Sequence, residues 1–243
     1  MLRFLQRLNS NNNGIYLSME YGVDKSPYAI KKSSTLPSSI SRLKREVDGA
    51  KWYSLATNNE YVLSDTNLPN YYSARFTFFP GKKANYKDGY WSNREIIRRA
   101  IIEYCGIWSL LPQKKMVIHG DYSIDNLIFD DENIFIIDWE HFSRAKIPIG
   151  FDALNLIFEQ IFFEDPKKRQ DYRTIDHIRD LLKTMINSKC LDQIYFAKPL
   201  FNIRSVIANN KNIWGEQIKK LPVMKFSNSE VSYIDELICL KKT

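Results

Sequence analysis

The sequence predicts an α+β protein, and three observations carry that prediction. Strand-like runs cluster before residue 80 and again at 127–137. Most of the remaining chain has the three-to-four-residue apolar spacing of helices. Between the two regimes, residues 116–140 read as an apolar strand, a polar loop and an apolar hairpin.

Taken in order, Leu8-Asn9-Ser10-Asn11-Asn12-Asn13-Gly14 is a polar stretch, and any strand ahead of it is expected to be short or missing. Ile15 to Tyr21 is a strand candidate. Gly22 to Pro27 forms a turn, and Tyr28-Ala29-Ile30-Lys31 returns as a second strand. Pro37-Ser38-Ser39 supplies an N-cap for a helix running to about Ala56. Ile40, Leu43, Val47 and Ala50 define its buried face, and Glu46 borders that face. Arg75-Phe76-Thr77-Phe78-Phe79 is an apolar strand closed by Pro80-Gly81. A helix follows over Asn93 to Leu111, striped by Ile96, Ile97, Ala100, Ile101, Tyr104, Trp108 and Leu111. After the hairpin, helices are expected over 153–163, 171–188, 199–209 and 229–240.

Composition is ordinary for a globular chain, with 44% hydrophobic and 26% charged residues among 243. No apolar run is long enough for a membrane span. The first residues lack the core and cleavage site of a signal peptide. Cys105, Cys190 and Cys239 are odd in number and widely spaced, which suits reduced thiols in a cytoplasmic protein. Charge is uneven. Residues 1–118 hold 18 basic and 9 acidic residues, and residues 141–243 hold 17 and 12. Residues 119–140 hold seven acids and no Lys or Arg. The basic residues are scattered rather than striped, and no nucleic-acid-binding signature accompanies them, so no nucleic-acid partner is expected. A nucleotide, an anionic acceptor or a peripheral membrane surface suits this balance.

The acidic strip holds the chemistry. His119-Gly120-Asp121 is followed five residues later by Asn126, and the second apolar run ends in Ile137-Asp138-Trp139-Glu140. A hairpin returns the end of its second strand beside the loop before its first, so Asp121, Asn126 and Asp138 are expected to converge. A carboxylate and an amide for Mg²⁺ (or Mn²⁺), with a second carboxylate to take a hydroxyl proton, are equipment for phosphoryl transfer.

These motifs resemble the catalytic and metal-binding loops of the aminoglycoside phosphotransferase and choline kinase family. The resemblance implies a bilobal protein-kinase-like fold, with an N-lobe over 1–80, a hinge near 76–81 and a C-lobe over 81–243. It makes Asp121 the catalytic base, Asn126 and Asp138 the metal ligands, and His119 and Glu140 supports of the site. Asp152, in Gly150-Phe151-Asp152-Ala153-Leu154-Asn155, resembles the element that buttresses the catalytic loop. Ala29-Ile30-Lys31 resembles the strand supplying the phosphate lysine. Lys31 is the expected residue, with Lys32 on the opposite strand face as the alternative. Glu46 would be its partner, unless it pairs with Arg42 on its own helix.

There is no Gly-x-Gly-x-x-Gly. Ser10 and Asn12 belong to a Ser/Asn-rich loop like those that replace it in small-molecule kinases. The backbone at Thr77 and Phe79 would meet the base of ATP or GTP. The implied acceptor is a hydroxyl of a small molecule or glycan sugar. Choline, ethanolamine or an aminoglycoside is the alternative acceptor, with Trp139, Trp214, Tyr172 and Tyr195 available for an aromatic box. A nucleotide-binding pseudokinase or scaffold is the non-enzymatic alternative.

Overall fold

The computed structural model describes the backbone of residues 6–11 and residues 14–110, 117–144, 150–165, 168 and 171–190. The expected helices over 199–209 and 229–240 lie outside them, as does Asn12. The described residues fall into two compact units. One lies within Met1–Gly81 and Ile137–Ser143, the other within Lys82–Ile136 and Arg144–Thr243.

The first unit is an antiparallel sheet with one helix. Its strands are β1 (Gln6–Asn11), β2 (Ile15–Tyr21), β3 (Pro27–Ser34), β4 (Val62–Leu68) and β5 (Tyr71–Thr77). They lie in the order β1-β2-β3-β5-β4. Where a short or missing first strand was expected, β1 is present with six residues. It pairs with β2 from Gln6 opposite Met19, and the register slips between Leu8 and Asn11. Ser10 therefore sits in a strand rather than a loop. The β2–β3 turn is closed by Asp24, whose Oδ1 accepts from the Ser26 amide at 3.0 Å. Strand β4 was not foreseen, because Val62–Leu68 is mostly polar and exposed along an edge.

Helix α1 (Pro37–Thr57) begins without a serine cap. Leu36 holds the N-cap position and proline opens the helix, where its missing N–H costs nothing. Asn58 ends it at φ 56°. One face of α1 buries Leu43 and Val47 against Tyr72 and Ala74 of β5. A second buried face carries Glu46, Gly49 and Tyr53. Against it pack Trp139 and Phe142 of the segment Ile137–Ser143. Trp139 is 1% exposed among Trp52, Tyr53 and Phe142, so it belongs to a core and is not part of an acceptor box.

The second unit holds β6 (Lys82–Lys83), α2 (Gly89–Trp108), the hairpin β7 (Leu127–Phe129) and β8 (Ile134–Ile136), α3 (Phe151–Phe163) and α4 (Tyr172–Asn187). Helix α2 starts four residues before the expected Asn93, and the Glu164 carboxylate accepts from the Trp91 amide in its first turn at 2.7 Å. Asp171 caps α4 by accepting from the Arg173 amide. The expected strand before the loop is only a single bridge at Ile118, and the segment Val117–Tyr122 is tied to α2 by two polar links. Trp108 Nε1 donates to the Val117 carbonyl at 2.7 Å, and Tyr122 donates to the Ala100 carbonyl at 2.8 Å. No helix among the described residues is long and apolar enough to cross a membrane.

Candidate active site

In the first unit, β3 decides the lysine. Lys32 lies between Leu17 and Ala74, and Lys31 between Ser18 and Arg75. Alternation along the strand sends Lys32 to the face that α1 covers. There Lys32 Nζ stands 2.5 Å from Glu46 Oε1 and 3.5 Å from Asp138 Oδ1. The expected pairing of Glu46 with Lys31 is therefore corrected, and so is the alternative pairing with Arg42. Burial opposes charge on Lys32, but Glu46 and Asp138 outweigh it and hold the ammonium above its usual range.

Asp138 adopts φ 63°, a left-handed conformation that Asp tolerates better than most residues. Its side chain is 39% exposed. Two residues on, Glu140 is gripped by the Arg42 guanidinium through Oε2, and Arg45 Nε donates to the Glu140 carbonyl at 3.1 Å. His141 Nε2 lies 3.3 Å from Glu140 Oε1. Burial alone would raise Glu140, but His141 and Arg42 hold it down at about 2. Of the proposed hinge contacts, the Thr77 amide is committed to the Tyr61 carbonyl at 3.1 Å, so that N–H does not serve a base. The Phe79 ring packs 4.7 Å from Tyr61.

In the second unit, the loop 119–126 is built around buried polar links. Gly120 takes φ 85°, which its missing side chain permits. Asp152, fully buried in the first turn of α3, accepts from the amides of His119 at 2.8 Å and Gly120 at 3.0 Å. Burial pushes Asp152 up to about 7, with Asp121 adding to the effect and the two amides opposing it. The His119 ring is buried and its Nδ1 accepts from the Asp121 amide at 3.3 Å. Asn126, on a 3-10 turn, donates from Nδ2 to the Asp121 carbonyl at 2.8 Å and to Asp121 Oδ2 at 3.2 Å. Both of these bonds use the amide nitrogen of Asn126.

Two polar residues that the sequence reading missed lie on α3, three and seven positions after Asp152. Asn155 Oδ1 and Glu159 Oε2 are buried with no hydrogen-bond partner among the described residues. Glu159 also accepts from the Ile124 amide, and it stands near Asp121 and Asp125. Burial, reinforced by those two acids, pushes Glu159 up to about 8. The overlooked signal was a polar Asp-x-x-Asn-x-x-x-Glu stripe on an otherwise apolar helix.

Among the described residues, no group of three or more His, Cys, Asp and Glu side chains is placed to hold a metal ion. Asp138 in the first unit, its side chain 39% exposed, and Asn126 in the second each carry an oxygen of the hard kind that a divalent cation such as Mg²⁺ takes.

The model of a family described as "Phosphotransferase enzyme family" matches residues 42–164, 123 of the 243 residues. No curated protein sequence matches the chain.

Proposed function

Since the chain belongs to the phosphotransferase enzyme family of aminoglycoside phosphotransferases and choline kinases, we propose that it moves the γ-phosphoryl group of ATP or GTP to a hydroxyl of a small molecule or glycan sugar. The observation that carries this reading is the part-buried Lys32–Glu46 pair with Asp138 at 3.5 Å from the same ammonium. A lysine fixed by a helix glutamate beside a carboxylate suits nucleotide phosphates better than it suits fold stability alone.

On this reading Lys32 binds phosphate oxygens and Glu46 fixes its direction. Asp138 and Asn126 hold Mg²⁺ or Mn²⁺. The metal, when bound, neutralises charge on the transferring phosphate. Asp121 accepts the hydroxyl proton as the acceptor oxygen bonds to phosphorus and the bond to the β-phosphate bridging oxygen breaks. His119 and Asp152 hold the loop that presents Asp121.

The acceptor has a second reading. Net charge favours a neutral or anionic molecule, but Asp121 and Asp125 both lie near Glu159, and burial keeps that third acid protonated up to about 8. That local field favours a donor-rich group, such as an amino alcohol or aminoglycoside. Release of nucleoside diphosphate, measured with Mg²⁺ or Mn²⁺ against sugars, amino alcohols and aminoglycosides, tests both readings. Turnover with any acceptor supports a kinase, and the preferred class decides between the two. Nucleotide binding without turnover on the whole panel would favour a scaffold.

A further inference from the structure

The strongest unassigned feature is the grip of α1 on residue 140. Arg42 and Glu46 are one helical turn apart, so they share a face of α1. Glu46 reaches Asp138 through Lys32, and Arg42 reaches Glu140 directly. Arg45 adds a bond to the backbone of Glu140. The loop that carries Asp138 is thus tied to α1 at its left-handed residue, through Lys32, and again two residues later at Glu140.

Resting on the phosphotransferase reading above, we infer that Arg42 is a positioning residue that keeps Glu140 out of the metal site and so sets the affinity for metal–nucleotide. Three acids, Glu46, Asp138 and Glu140, act on the single ammonium of Lys32. Lys32 serves the first two. Glu140, whose side chain is 18% exposed, has Arg42 as its permanently charged partner, with His141 Nε2 at 3.3 Å on its other oxygen. Without Arg42, a half-buried carboxylate two residues from the metal ligand has lost its main charge partner. It then competes with Asp138 for Lys32 and for the divalent ion. An Arg also suits the place geometrically, since a planar guanidinium holds one carboxylate orientation where an ammonium holds none.

The test is calorimetric titration of Mg²⁺–ATP into the full chain, with thermal unfolding run alongside. Arg42→Ala is expected to weaken binding roughly tenfold or more, the effect of losing one partner of a part-buried pair. Arg42→Lys should fall between the two. The double variant Arg42→Ala/Glu140→Gln should regain most of the lost affinity, because the unpaired charge is gone. A purely structural Arg42 would give no such rescue. Unchanged binding in Arg42→Ala, or no recovery in the double variant, overturns the inference while leaving the phosphotransferase reading intact. If the unaltered chain binds neither Mg²⁺–ATP nor Mg²⁺–GTP, the phosphotransferase reading itself fails, and the inference with it.

Discussion

Lys32 and Glu46 meet at 2.5 Å on the α1 face of the sheet, while Lys31, one residue earlier, lies in a row with Ser18 and Arg75. The two lysines are therefore separable. Lys32→Ala is expected to weaken nucleotide binding by roughly tenfold or more, since it removes the phosphate contact and leaves Glu46 buried and unpaired. Lys31→Ala should stay within about twofold of the parent. Calorimetry on both variants checks this, and equal losses would show that the ion pair has no bearing on nucleotide.

Why the sequence pointed to Lys31 is a matter of what alternation can tell. A period of two says that neighbouring lysines face opposite ways, but not which face receives a helix. That choice is set by cross-strand neighbours. Lys32 is opposite Leu17 and Ala74, and the inward row of β5 continues through Tyr72 and Phe76. Those pairings depend on register, which no local pattern reveals. The hairpin at 127–136 was legible because its two short runs flank a turn closed by Asp130. Asp171 likewise declared the start of α4 as a side-chain cap. The partner of Glu140 was not legible, because Arg42 lies 98 residues away in the chain.

Gly49 gives a stability test of the α1–loop contact. Alanine favours an α-helix over glycine by about 1 kcal/mol, so an exposed site would gain from the change. Here the added carbon would lie 2.7 Å from Trp139 Cβ and 2.8 Å from Phe142 Cβ, atoms anchored close to the backbone. Overpacking of this kind costs about 1–3 kcal/mol, which outweighs the propensity gain. Gly49→Ala should therefore lower the denaturation midpoint and also weaken Mg²⁺–nucleotide binding, because Asp138 is the residue before Trp139. A stabilised Gly49→Ala would mean that the segment yields freely.

Glu159 predicts a pH dependence of stability with a definite sign. Its carboxyl is raised from 4.5 to about 8 in the folded chain. Between those values the folded state keeps a proton that the unfolded state has released, so stability falls as pH rises through that window. Above about 8 both states are ionised and this slope ends. Glu159→Gln carries no titrating group. Its unfolding midpoint should therefore fall less between pH 5 and 8 than that of the parent, by urea denaturation at several pH values. Parallel profiles for the two proteins would show that Glu159 is already ionised.

Asp121 and Asp138 should fail in different ways. Asp138→Asn retains a residue that tolerates φ 63°, so the backbone is preserved while the carboxylate proposed to hold the metal is lost. Both Mg²⁺-dependent nucleotide affinity and turnover should drop. Asp121→Asn keeps the shape of the side chain and an oxygen for Asn126 Nδ2, now 3.2 Å from Oδ2. What it cannot do is take the acceptor proton. Nucleotide binding should stay within a few-fold, while turnover falls by roughly 10²–10⁴, the usual worth of general acid–base assistance. Steady-state rates, with calorimetry of nucleotide binding, separate the two phenotypes. Full turnover in Asp121→Asn would remove Asp121 from the proton transfer. Unaltered metal dependence in Asp138→Asn would remove Asp138 from the metal.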